Sequence, residues 1–200
     1  MPNSIIHLFV AKKVNHNAEI DFYIGNLAPD SVIDQKIKST VHFRSAADRK
    51  AALEGFASTL DRKNEYIKGV ILHLFVDLRW EETPLVRDFI ENQCRVRDNK
   101  YWNEIGHLKL WNEMEAATYA FTHTDWSRNL LEQMEQSNIA NFTEMEHITK
   151  NGLKAHIHNQ WRWMEEKNIE PSKVFTPMFI EKFSKDTAGE FTEWFLDLDA

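Results

Sequence analysis

Residues 69–78 read Gly-Val-Ile-Leu-His-Leu-Phe-Val-Asp-Leu, an apolar run interrupted only by His73 and Asp77. Around this run, apolar residues recur with the i, i+3, i+4, i+7 spacing of a buried helical face at Ile67, Val70, Ile71, Leu74 and Leu78. The pattern predicts a helix that begins near Lys63 or Asn64 and ends at about Glu82. Because apolar side chains surround this helix on nearly every side, we expect it to lie at the centre of the fold.

The two polar residues of this run stand four positions apart, so they share one face of the predicted helix. An ionised carboxylate in such a buried place costs several kcal/mol unless another charge compensates it. A divalent metal would compensate Asp77, and neutral imidazole with carboxylate is a common ligand pair. Two simpler explanations stay open, in which His73 and Asp77 bond to each other or Asp77 pairs with Arg79.

Three further residues of ligand type stand beside apolar residues earlier in the chain. His7 lies within the apolar run 5–10, and Asp30 follows a proline at the end of the apolar stretch 22–29. His42 is flanked by two apolar residues. Each has an ordinary explanation: a hydrogen-bonded core histidine, a turn former or helix cap, and a half-buried loop histidine. Their recurrence beside the later His/Asp pair favours a common metal site.

The remainder of the chain shows helical patterns and few turn residues, with only 6 glycines and 5 prolines among 200 residues. Ser45 and Asp48 resemble a capping box, and a first helix is predicted to be capped by Ser4. The segment 17–43 gives no clear pattern apart from a loop at Asp30. The predicted helices span 4–14, 45–60, 63–82, 84–94, 101–121, 126–136, 143–167 and 177–198, the last with an interruption near Gly189. This predicts an all-α, single-domain multi-helix bundle over residues 1–200.

The histidines nearer the C-terminus have a different context. His156 and His158 lie with Trp161 and Trp163 on the predicted amphipathic helix 143–167. We therefore interpret these four as ordinary surface and core residues of that helix.

Charge and composition narrow the functional classes. A formal net charge of −7 disfavours stable binding to duplex nucleic acid, which depends on Lys and Arg contacts to phosphates. The single cysteine, Cys94, excludes an intrachain disulfide. The N-terminal residues lack the pattern of a signal peptide, and no apolar stretch is long enough for a membrane span. These features predict a soluble, cytoplasmic protein, of undetermined oligomeric state.

The order and spacing of the candidate ligands resemble those of the zinc-dependent phospholipase C superfamily, which also contains the single-strand-specific nucleases. The resemblance rests on His7, residues 23–30 (Tyr-Ile-Gly-Asn-Leu-Ala-Pro-Asp), Val41-His42-Phe43, and His73-x-x-x-Asp77 with Trp80. It covers about residues 1–84 and implies an all-helical, phospholipase C/nuclease-like fold. Carried over position by position, it implies one ion held by Asp30, His42, His73 and Asp77. It implies a second ion held by His7 and Asp77, because the corresponding aspartate of the family bridges two metals.

The chain also departs from that family. The family holds a third metal with a histidine shortly after the bridging aspartate and with a later His-x-x-x-Glu. Thr83 stands at the first position, and no His-x-x-x-Glu occurs in the chain. His107, Glu113 and Glu115 are possible additional ligands from the corresponding region, without the family spacing. The family also uses a processed N-terminal amine as a ligand, which this chain is not expected to supply.

Together these features predict a metal-dependent hydrolase of phosphoesters, with a small molecule or a lipid as substrate and one or two zinc ions or other divalent metals. Asp77 would bridge the metals, and Asp30 would serve as a ligand or as the general base. The alternative is a non-catalytic helical scaffold or binding module that retains a structural metal or none. A phosphohydrolase of the HD type is disfavoured because the chain contains no adjacent His-Asp dipeptide.

Overall fold

The structure, a computed structural model, describes residues 1–94, 104–137, 139, 145–165 and 169–198, apart from the side chains of 93–94, 104–107 and 161–165. Within these residues it contains helices and no strand, and its only extended pairing is an isolated bridge between Met145 and Ile148. The predicted all-α fold is confirmed.

Ten α-helices are found in the described part of the chain. They are α1 (Ser4–Val14), α2 (Ile20–Leu27), α3 (Gln35–Val41), α4 (Arg49–Ser58), α5 (Glu65–Glu82), α6 (Pro84–Phe89), α7 (Glu104–Thr122), α8 (Asp125–Gln136), α9 (Lys150–Glu165) and α10 (Pro177–Asp197). A 3-10 turn (Ala28–Ser31) follows α2 directly, and a π-helical turn (Ile90–Cys94) follows α6. None of the described helices is long and apolar enough to cross a membrane.

Helix capping differs from the prediction at two N-termini. The cap of α1 is Asn3, whose side chain accepts a hydrogen bond from the Ile6 amide at 3.1 Å, and Ser4 is already helical. The cap of α4 is Asp48, which accepts from the Ala51 amide at 2.9 Å, so the predicted role of Ser45 was wrong. Asn, Asp and Ser are all good caps, and the local backbone decides which of two neighbours is used.

The segment that gave no clear pattern contains two short helices, α2 and α3, joined by the 3-10 turn. Pro29 occupies the first turn of this 3-10 segment, so Asp30 lies in a helical turn rather than in a loop. Asp34 then caps α3 by accepting from the backbone amides of Lys36 and Ile37, both at 2.9 Å. Helices of seven or eight residues show too little periodicity to be recognised from sequence.

Two later predictions also need correction. α9 begins at Lys150, and residues 145–149 contain the isolated bridge instead of the predicted helix. α10 continues without interruption through Gly189, which a helix tolerates at a modest cost in stability. The C-terminal aromatic residues pack against α5, where Trp80 contacts Phe175 and Phe183.

α5 lies at the centre of the fold, as its sequence predicts. Its side chains are buried from Gly69 to Asp77 and again at Trp80, and it contacts α1, α2, α4, α6 and α10. Its most extensive contact is with α2. The position of α5 therefore fixes where His73 and Asp77 lie relative to every neighbouring helix.

Two glycines allow α2 and α5 to approach each other closely. A Cβ atom placed on Gly25 would lie 2.0 Å from the Tyr66 carbonyl oxygen, and one on Gly69 would lie 2.1 Å from the Phe22 carbonyl oxygen. Real Cβ atoms are not found at such distances from backbone atoms, so any larger residue would push the two helices apart. The glycines are thus required by the helix spacing.

We predict that Gly69→Ala destabilises the protein by about 1–3 kcal/mol, because the added methyl group forces α2 away from α5. The matched control is Gly189→Ala in α10, where an added Cβ meets nothing within 4 Å. That change should be neutral or stabilise the protein by up to about 1 kcal/mol. Urea denaturation in the presence of chelator measures the free energy of unfolding of both variants. Equal changes at the two positions would contradict the close-packing explanation.

Candidate metal centre

All five predicted metal ligands come together between four elements of the N-terminal half. α1 contributes His7, the 3-10 turn contributes Asp30, His42 caps the C-terminus of α3, and α5 contributes His73 and Asp77. Ligand atoms of His7, Asp30 and His73 lie within 4.8 Å of one another, and so do those of His42, His73 and Asp77. These two groups share His73, and both could hold a metal ion.

His42 owes its position to the way α3 ends. The residue after it, Phe43, has a φ of 53°, in the left-handed region that non-glycine residues enter at an energetic cost. Its ring packs against Phe56 of α4, with 5.4 Å between the ring centroids. This sharp turn ends the helix and leaves the His42 side chain, which is 1% exposed, inside the cluster.

The hydrogen bonds of two histidines determine which nitrogen faces the cluster. His73 Nδ1 lies 2.7 Å from the carbonyl oxygen of Asn26, and His42 Nδ1 lies 2.7 Å from the carbonyl oxygen of Lys38. A carbonyl oxygen only accepts, so both Nδ1 atoms carry the proton and donate it. The Nε2 atoms of both rings are therefore free to bind a metal, an arrangement typical of metal-binding histidines.

The two Nε2 atoms point at each other across 3.2 Å. With both Nδ1 atoms protonated, the Nε2 atoms of two neutral rings bring two lone pairs face to face, and a metal ion or a proton between them would remove that repulsion. His42 Nε2 is also 3.6 Å from Asp30 Oδ1 and 3.7 Å from Asp77 Oδ2, distances too long for hydrogen bonds. A tetrahedral zinc with ligands at 2.0–2.1 Å has ligand–ligand edges of about 3.3–3.4 Å. The spacing of these donor atoms is close to that value.

His7 lies on the other side of Asp77. Its Nε2 atom is 3.4 Å from Asp77 Oδ1, again close to a tetrahedral edge, and its ring stacks on that of His73 with centroids 3.8 Å apart and planes 5° from parallel. Neither nitrogen of His7 and neither carboxylate oxygen of Asp77 makes a hydrogen bond. The two oxygens of Asp77 thus face different histidines, as a bridging carboxylate does.

Burial sets the protonation state of the central histidine. It is the main cause that lowers the pKa of His73 well below its ordinary value, with His7 acting in the same direction and Asp30 and Asp77 opposing it. His73 is therefore neutral at neutral pH, which is the form that binds metals.

The two carboxylates, in contrast, remain ionised. Burial alone would raise the pKa of Asp77, but His7, His73 and His42 outweigh burial and hold that pKa below its ordinary value. The pKa of Asp30 is likewise held well below its usual range, because His42, His73 and Lys38 outweigh the effect of burial. The cluster therefore presents negative charge and nitrogen lone pairs in one buried volume.

Of the three possible additional ligands, the two whose side chains are described do not join this cluster. The side chain of His107 lies outside the described residues. Glu113 accepts a hydrogen bond from Ser172, and Glu115 accepts one from the indole N–H of Trp111, one helical turn earlier. Neither glutamate belongs to the ligand groups found in the described part of the chain.

Two residues that the sequence did not single out lie beside the cluster. Lys38 Nζ forms an ion pair with Asp30 Oδ1 at 2.8 Å. His156 reaches the start of α1, where its Nε2 atom is 3.4 Å from Ser4 Oγ. Burial is the main cause that lowers the pKa of His156, with Lys38 and His7 acting in the same direction and Asp30 opposing it. The interpretation of His156 as an ordinary residue of its helix was therefore incomplete.

We predict that zinc raises the melting temperature of the protein by about 5–10 °C at a hundredfold excess over its Kd, and that Asp77→Asn abolishes this rise. Wild type and variant are each compared with and without chelator, so that a change in the stability of the metal-free fold is separated from the zinc effect. Asp186→Asn changes an exposed carboxylate on α10 and should keep the zinc effect. Thermal unfolding with zinc and with chelator measures the rise in melting temperature. A rise in Asp77→Asn as large as that in wild type would exclude Asp77 as a ligand.

Comparison of the chain with protein-family models, with curated proteins and with solved structures found no match.

Proposed function

We propose that this protein is a metal-dependent hydrolase of phosphoesters, with zinc held by His7, Asp30, His42, His73 and Asp77. The observation that carries the proposal is the convergence of these five residues on one buried volume, in which both oxygens of Asp77 and both ring nitrogens of His7 make no hydrogen bond. Such a set of groups is costly to bury unless cations compensate it.

The types of ligand favour zinc. Three imidazoles and two carboxylates suit zinc and other transition metals, whereas Mg²⁺ and Ca²⁺ prefer oxygen ligands alone. The ligand atoms form two groups, His7 with Asp30 and His73, and His42 with His73 and Asp77, which would suit two neighbouring ions. The two oxygens of Asp77, facing different histidines, support the same arrangement.

The proposed role of each residue follows from how deeply it is buried. Asp77 and the three histidines, all fully or almost fully buried, would hold and orient the metals. Asp30 is the most accessible of the five, with its side chain 8% exposed, and in this proposal it would accept a proton from an entering water. Divalent cations held there would polarise a phosphoryl oxygen and stabilise a leaving oxygen.

The choice of a phosphoester, from a small molecule or a lipid, has two supports. One is the resemblance of residues 1–84 to the zinc-dependent phospholipase C superfamily in the order and spacing of the ligands. The other is the ammonium group of Lys38 beside Asp30, which adds positive charge where an anionic substrate would enter. The overall charge of −7 does not oppose this, because bound cations dominate the local field.

A structural metal in a non-catalytic scaffold is the second candidate. It is favoured by the burial of the ligands, since four of the five have side chains that are 1% exposed or less, and closed sites are typical of structural metals. Metal content together with hydrolysis separates the two functions, because a structural site would hold metal and leave phosphoesters intact.

We predict that the zinc-loaded protein hydrolyses a chromogenic phosphomonoester or phosphodiester and that His73→Ala abolishes both metal content and hydrolysis. Loss of a residue that merely orients a ligand already costs about 10–100-fold, so loss of a direct ligand should lower hydrolysis by at least about 100-fold. Elemental analysis and initial rates measure the two effects. The control is His16→Ala, which changes an exposed histidine and should retain both.

The results separate the alternatives. Metal bound at one or two equivalents with no hydrolysis of either ester would contradict the hydrolase and favour the scaffold. Equal hydrolysis by metal-free and metal-loaded protein would contradict a metal-dependent reaction.

A further inference from the structure

The candidate metal centre reaches the surface at one side only, among the groups that form it. The side chains of His7, His42 and Asp77 are 0% exposed, whereas those of Asp30 and Lys38 are 8% and 15% exposed. A ligand that enters from this side passes these two residues. We call the region around Asp30 and Lys38 the mouth of the centre.

Lys38 contacts Asp30 through its side chain and His42 through its backbone. Its Nζ atom lies 2.8 Å from Asp30 Oδ1 and donates a hydrogen bond of 3.2 Å to the Asp30 carbonyl oxygen. Its own carbonyl oxygen accepts the Nδ1 proton of His42 at 2.7 Å. Because the backbone contact fixes this turn of α3 against the cluster, the ammonium group is held at the mouth.

α9 lies next to the turn that carries Asp30. It packs against the 3-10 turn, where a Cβ added to Gly152 would lie 3.6 Å from the Ser31 carbonyl oxygen. His156 lies one helical turn after Gly152 on the same face of α9, and its Nε2 atom is 3.4 Å from Ser4 Oγ. Ser4 in turn precedes His7 by about one turn of α1. This half-buried imidazole thus lies between the start of α1 and the turn that carries Asp30.

The charges at the mouth change when cations occupy the cluster. Without metal, the Lys38 ammonium compensates the Asp30 carboxylate. With two divalent cations bound, their four positive charges would exceed the two negative charges of Asp30 and Asp77. The Lys38 ammonium would then face a site of like charge in a poorly solvated place, and an additional anion would stabilise it. A phosphate group supplies that anion, with oxygens that accept hydrogen bonds from both an ammonium group and an imidazole N–H.

We propose that Lys38 and His156 form the phosphate-recognition pair of this centre and bind the phosphoryl oxygens of the ligand from opposite sides of Asp30. This deepens the proposed phosphoester function and rests on it. Neither residue is a metal ligand, so both act on the anion and leave the metal content unchanged.

Isothermal titration calorimetry of the zinc-loaded protein with inorganic phosphate tests the roles of Lys38 and His156 directly. We expect Lys38→Met to weaken phosphate binding by about tenfold or more, because a charge-assisted hydrogen bond is lost. His156→Ala should weaken binding by about threefold to tenfold, as expected for a neutral donor. Lys38→Arg should restore most of the affinity, and all variants should keep the wild-type zinc content by elemental analysis.

Two neighbouring residues supply matched controls. Lys36 lies on the same helix as Lys38 and is exposed, and His158 lies on the same helix as His156 and pairs with Glu135 at the surface. Lys36→Met and His158→Ala should leave phosphate affinity unchanged. If Lys38→Met binds phosphate as tightly as wild type at equal zinc content, Lys38 is only the counter-ion of Asp30 and the proposal is overturned. Absence of phosphate binding by the wild type would overturn it as well.

The same variants separate this inference from the proposed hydrolase. Phosphate binding that depends on Lys38, in a protein that hydrolyses no phosphoester, would support the recognition pair and contradict the hydrolase. Hydrolysis with a KM and a phosphate affinity that do not respond to either variant would support the hydrolase and contradict the pair.

Discussion

The close approach of His42 Nε2 and His73 Nε2, which lie 3.2 Å apart, is the constraint on which the rest of this structure depends. The Nδ1 proton of each ring is donated to a backbone carbonyl oxygen on the far side of the ring. The backbone carbonyls of Lys38 and Asn26 hold those protons, so the lone pairs cannot turn away. Asp30 and Asp77 add ionised carboxylates to the same volume, and the Asp77 oxygens lack a hydrogen-bond donor. A bound metal ion would relieve all of these contacts at once, and this is the reason for proposing a metal centre in the middle of an apolar core.

Much of the fold and most of the candidate site could be predicted from the sequence, for a definite physical reason. α5 is long and apolar on all sides, so its helical pattern is strong and its two polar residues are conspicuous. His7 is conspicuous within α1 for the same reason, because a ligand-type residue interrupts an apolar helix. The resemblance supplied the order that linked these positions to Asp30 and His42, and the geometry now brings all five together.

What could not be predicted depends on contacts between distant segments. Lys38 is one of two lysines in a short helix, and only the folded chain shows that its ammonium group meets Asp30. His156 is 152 residues from Ser4 in the chain, and no local pattern distinguishes it from His158 on the same helix. The glycine contacts between α2 and α5 are of the same kind, since a glycine in a helix does not reveal which backbone lies against it.

Anomalous diffraction at the zinc absorption edge, from crystals grown with zinc, tests the central claim most directly. We expect a peak about 2.0–2.1 Å from the Nε2 atoms of both His42 and His73, with Asp77 within bonding distance. A second peak between His7 and Asp77 would establish a dinuclear centre. Crystals that show zinc only at surface sites, with the His42 and His73 nitrogens still facing each other and no peak between them, would contradict a metal centre at this place.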